Sequence, residues 1–108
     1  MELPQNRGDI ELHFSDEKFV IDTCSQINKD LTGLTEFPPK FDIDLENDVM
    51  YQVILQLAES LKRMSQTNLQ QFIYRVELKE RDFYKALAQE DDCQELAFCV
   101  LRREAQKV

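Results

Sequence analysis

Apolar residues recur at gaps of four and three through the middle of this chain. Met50, Ile54, Leu57, Leu61 and Met64 form one stripe, widened by Val49 and Val53. That is the spacing of a helix with a broad buried face. After Ser65-Gln66-Thr67-Asn68 a second stripe begins at Leu69, Phe72, Ile73 and Val76. The two faces can cover each other only if the chain reverses between them, so 45–76 reads as a helical hairpin. A third concentration, Leu96-Ala97-Phe98-Cys99-Val100-Leu101, is apolar around nearly the whole circumference of a helix. Such a helix is either central in the core or keeps a second apolar face for a partner.

The flanking segments fill in the remaining elements. Residues 1–9 have little to bury and read as a flexible start. Ile10, Leu12 and Phe14 alternate with polar residues, as do Phe41, Ile43 and Leu45. The period of two makes them extended arms resting on the helices; a competing α+β reading pairs 10–14 with 41–45 as a two-stranded ribbon. Ser15 ahead of Asp16 and Glu17 starts a helix that runs to Leu31 and buries Val20, Cys24, Ile27 and Leu31, with Phe19 on its shoulder. Gly33 is placed to end it in a left-handed conformation, with Leu34 folding back. Phe37-Pro38-Pro39 cannot be helical and serves as a stiff connector.

Asp44 is then expected to cap the second helix, with Glu46 and Asp48 in its first turn and an end near Met64 and Ser65. Glu59 and Arg63 are spaced for an intrahelical ion pair. Thr67 or Asn68 caps the third helix. Continued unbroken from Leu69 to Leu87, that helix would place Glu80 on the seam with Ile73, Val76, Phe83 and Leu87. Burying an unpaired carboxylate is costly, so a break near 78–82, with Leu78 turned inward, is favoured. The last helix starts at Asp91 or Asp92 and ends with Arg102, Arg103 and Lys107, both ends matched to the helix dipole.

Composition narrows the class. The 108 residues suit a single domain spanning 1–108. Both glycines (Gly8, Gly33) and all three prolines lie at or before Pro39. All-β folds need frequent turn residues, so the long stretch beyond is read as helices. The expectation is an all-α bundle of four main helices, the third open to division near 78–82, with an extended N-terminal arm.

The net charge of −8 is uneven: residues 1–60 carry −9 and residues 61–108 carry +1. An acidic first half repels phosphate backbones and anionic headgroups and attracts a basic partner. No apolar run approaches a membrane span, no secretory leader opens the chain, and three cysteines is an odd number. A cytoplasmic protein with reduced thiols is expected.

The sequence contains no recognisable reaction centre. Asp42, Asp44, Glu46 and Asp48 imitate the start of a calcium loop, but Asn47 stands where its glycine belongs and Val53 where its bidentate glutamate belongs. Cys93 and Cys99 do not share a helix face, and His13 is the one histidine, so a protein-only zinc site is not expected. Pairing His13 with Cys24 for nucleophilic catalysis conflicts with the place of Cys24 on a buried stripe. No glycine-rich loop offers a phosphate cradle. No cofactor, metal or small-molecule substrate is expected.

The residues best suited to an interface are Tyr74, Arg75, Arg81, Tyr84, Phe98, Arg102 and Arg103, the aromatic and basic types that dominate binding hot spots. The function read from the sequence is therefore non-enzymatic: protein–protein interaction or self-association through helix faces. The alternatives are an acidic inhibitor of a basic protein, in the manner of an antitoxin or immunity protein, and an enzyme using a carboxylate or a cysteine.

Overall fold

The computed structural model describes residues 13–108, and all regular structure among them is helical. Five helices are defined among the described residues: α1 (Glu17–Leu31), α2 (Val49–Lys62), α3 (Gln66–Val76), α4 (Glu80–Leu87) and α5 (Gln94–Lys107). The all-α expectation holds. The count is five rather than four because the expected third helix divides at 77–79. Residues 1–9, and Ile10 and Leu12 of the expected ribbon, lie outside the described residues.

The division has a clear local cause. Glu77 adopts a left-handed backbone (φ 66°). The amide of Leu78 then reaches the carbonyl of Ile73 at 3.2 Å, and that of Glu77 reaches Tyr74 at 3.1 Å. This paired bonding is the Schellman ending, usually built on glycine. Leu78 turns inward against the core, and Glu80 begins the next helix exposed to solvent.

The core is organised around α5, which packs on each of the other four helices, while α1 also packs on α3. Leu96, Ala97, Val100 and Leu101 are wholly buried. The backbones of α2 and α3 barely approach one another, so the expected hairpin is a connection rather than a packing unit. The stripe of α2 is covered by α5, and that of α3 by α1 and α5. Of the two expectations for the run 96–101, the central position is the one realised.

Segment 41–45 forms no strand, because side chains of α2 occupy its backbone groups. Gln56 donates to the carbonyl of Asp42 and Gln52 to that of Asp44, both at 2.8 Å, and the amide of Asp44 donates to Gln52 Oε1. Ser60 Oγ donates to the carbonyl of Phe37 at 2.8 Å. Residues 52, 56 and 60 lie one turn apart on one face, so a row of polar side chains holds 37–44 as a strap along α2.

Several helix starts differ from expectation. Asp16, not Ser15, caps α1. Asp48, not Asp44, caps α2; Asp44 instead closes a turn by accepting from Glu46 and Asn47. Ser65, not Thr67 or Asn68, caps α3, and α5 begins at Gln94 after left-handed Asp92 and Cys93. Glu59 pairs with Lys62 at 2.8 Å rather than with Arg63, whose guanidinium lies over the Phe37 ring.

Gly33 does adopt the left-handed conformation (φ 79°), and an added Cβ there would meet no atom within 4 Å. The cost of Gly33→Ala is therefore purely conformational. We expect a loss of about 1 kcal/mol in urea unfolding, with the slope unchanged.

Candidate functional site

The elbow between α3 and α4 brings together part of the expected surface. Tyr74 lies near the end of α3 and is 84% exposed; Tyr84 lies on α4 and is 50% exposed. Between them runs a groove of about 340 Å³ lined by Gln70, Ile73, Leu78, Glu80 and Phe83. Its apolar residues belong to the core stripes, and the Schellman turn is what folds α4 back to oppose α3. The rings of Phe83 and Tyr84 are 5.2 Å apart, which steadies Tyr84. Glu80 is the charged residue among those lining the groove.

Arg102 and Arg103 lie on the far side of Leu78. They line a second cavity of about 400 Å³ with Glu77, Lys79, Asp82 and Gln106. Arg103 pairs with Glu77 at 2.9 Å, and the guanidinium of Arg102 lies 5.8 Å from the centre of the half-buried Phe98 ring. Arg81 is exposed, its Nε 3.9 Å from Asp82 Oδ1. Arg75 is not part of this surface. Its Nη1 donates to the carbonyls of Asp30 (3.1 Å) and Thr32 (2.7 Å), satisfying the C-terminal end of α1. The seven expected residues thus separate into a tyrosine groove, a basic shelf and a structural arginine.

No protein-family model, curated protein or solved structure matches this chain. Function has to be argued from the surface and the interior alone.

The thiols are poorly suited to nucleophilic work. Burial pushes Cys24 up to about 11, and burial together with nearby carboxylates raises Cys93 and Cys99. All three are free and protonated at neutral pH. Among the described residues no group of three or more His, Cys, Asp or Glu is placed to hold a metal ion. No helix among them is long and apolar enough to cross a membrane.

Sequence reasoning missed a buried ionic cluster between α1 and α5. Glu104 is 0% exposed and Asp30 is buried beside it. Lys107 Nζ lies 2.8 Å from Glu104 Oε1 and 2.9 Å from Asp30 Oδ2, and it also donates to the carbonyl of Arg75 at 3.1 Å. Gln26 makes a long contact to Asp30 at 3.4 Å. Burial first, and the hydrogen bond with Asp30 second, push Glu104 up to about 8. Burial would also raise Asp30, but hydrogen bonds from Glu104, Lys107 and Gln26 outweigh it and hold Asp30 below its ordinary value. A signal was present: Glu104 falls three after Leu101 and four after Val100, on the buried stripe.

Proposed function

We propose that this chain is a non-enzymatic interaction module that docks a segment of another protein in the groove between Tyr74 and Tyr84. What carries the reading is the presence of two exposed tyrosines lining one groove. Tyrosine offers large contact area at small conformational cost and is enriched at binding hot spots. The occupant we assign is an apolar side chain flanked by Lys or Arg. Tyrosine faces attract cations and Glu80 is the charge that lines the groove; the chain's net −8 sits in residues 1–60 and acts at longer range. The same charge favours protein partners over nucleic acids and anionic membranes. Three free thiols fit a cytoplasmic setting.

The last helix does not enter this reading, since its apolar run is consumed by the core. The acidic-inhibitor alternative has less support. Asp30 is buried and the tyrosine groove lies outside the acidic half, although Asp16, Asp44 and Asp48 stay exposed while they cap helices or close a turn. The raised thiols give the cysteine-enzyme alternative little to build on.

Tyr74→Ala combined with Tyr84→Ala tests the docking face. Both side chains are exposed, so stability should change by no more than about 0.5 kcal/mol per site. Cross-linked capture from lysate should yield a partner with the wild type and with the distant control Tyr51→Ala, and should weaken as salt rises. In the double variant capture should fall about thirtyfold or more, the loss of one hot spot. Equal capture by the double variant would overturn the groove. Concentration-dependent self-association that disappears in the double variant would reassign the occupant to a second copy.

A further inference from the structure

We propose that Asp30 and Glu104 hold a single proton between them, and that this proton latches α5 to α1 so that the latch loosens as pH rises. Both carboxyls are buried, they come from different helices, and one ammonium, Lys107 Nζ, lies 2.9 Å from Asp30 Oδ2 and 2.8 Å from Glu104 Oε1. Two ionised carboxylates there would set two buried negative charges against one cation, which burial makes costly. Neither oxygen of Glu104 receives a well-aligned hydrogen bond, although Oε1 lies 2.8 Å from the lysine nitrogen. A protonated Glu104 resolves both: its O–H is a donor that can turn to Asp30, and one negative charge remains opposite one ammonium. Asp30 is the ionised member, since it also takes the lysine at 2.9 Å and the amide of Gln26.

The other charges near the latch do not supply a second cation. From α3, Arg75 spends its Nη1 on backbone carbonyls of α1. On α2, Glu59 and Lys62 pair with each other. From α4, Asp82 and Lys85 line a cavity with Cys99 and Arg102, on the stretch of α5 before Glu104. Among the described residues Lys107 is the cation paired with both carboxyls, and it bridges α5 to α1 and, through the Arg75 carbonyl, to α3. Ionising Glu104 places two buried negative charges on this one cation.

The sign follows from proton counting. The folded chain keeps the Glu104 proton up to about pH 8, whereas the unfolded chain loses it near the ordinary value of 4.5. Folding therefore takes up a proton in the window between, and stability falls as pH rises through it. Asp30 stays ionised in both states over this range and adds nothing to the slope.

The test is urea unfolding of the full chain from pH 5.5 to 7.5, with wild type, Glu104→Gln and Asp30→Asn. In wild type this site raises the unfolding constant about tenfold per pH unit. Glu104→Gln keeps a donor toward Asp30 but cannot titrate, so its profile should be shallower by one proton. Asp30→Asn removes the like charge and should shift the window downward. Equal slopes in wild type and Glu104→Gln would overturn the proposal. Should either variant fail to fold, infrared spectra of wild type decide. A carbonyl stretch of a protonated carboxylic acid at pH 6.5, lost on raising pH or on unfolding, supports the shared proton; its absence overturns it.

Discussion

Leu101→Ala should unfold this protein more readily than any truncation elsewhere on α5, with a loss of about 3–5 kcal/mol. Leu101 is wholly buried on the helix that every other helix packs against. Removing its side chain opens a cavity on the helix that packs against all four others, where the fixed backbones around it limit collapse. Against a total stability of about 5–15 kcal/mol for a domain, that is a large fraction. For a chain of this size it corresponds to a fall in Tm of roughly 15–25 °C. Phe98, in the same apolar run, is half-buried beneath Arg102, so Phe98→Ala should cost clearly less. Calorimetry on the two variants checks the order. Equal losses would mean that α5 is not the centre of the core.

Lys107→Met should lower stability by about 3 kcal/mol at pH 5.5, where Asp30 loses its cation, and by up to about 1 kcal/mol more at pH 8.5. The methionine keeps most of the aliphatic stem, so the change removes charge more than packing. At pH 5.5 Glu104 is neutral, and the variant leaves only Asp30 without its cation. At pH 8.5 wild-type Glu104 is largely ionised, and two buried carboxylates lose the one ammonium that faces both. Without the lysine, Glu104 holds its proton to higher pH, so the variant keeps losing stability where wild type has levelled off. Chemical unfolding at the two pH values measures this directly. A loss that does not depend on pH would show that Glu104 is ionised throughout.

The helices were legible in the sequence because burial imposes a spacing, and Met50, Ile54, Leu57 and Leu61 obey it regardless of what covers them. What covers them was not legible. A stripe states which face is buried and is silent on the partner, which is why α2 and α3 were expected to cover each other when both needed α5. Caps failed for a related reason. Ser65, Thr67 and Asn68 can all cap a helix, as can Asp44 and Asp48, and the choice depends on where the preceding segment is released. Gln52 and Gln56 hold the strap in place as far as Asp44, so α2 begins beyond it.

The tyrosine groove was half legible. Tyr74 and Tyr84 stood out as residue types, but their approach depends on a left-handed Glu77, a conformation that sequence normally signals with glycine. The ionic cluster was marked only by single carboxylates on apolar faces, Asp30 after Ile27 and Glu104 after Leu101. Each alone looks like a fault in a stripe, and their meeting is a matter of how α1 crosses α5.

The order of the helices along the chain has a consequence for biosynthesis. The element that completes the core follows the other four, so a nascent chain extended only through Leu87 has four helices, α1 packed on α3, without the one on which all four pack. Cotranslational folding is closed to it until residues near 107 clear the exit tunnel. Until then the nascent chain is a client for holding chaperones, and a ribosome stalled between Ala88 and Cys93 would present a fragment fit only for degradation.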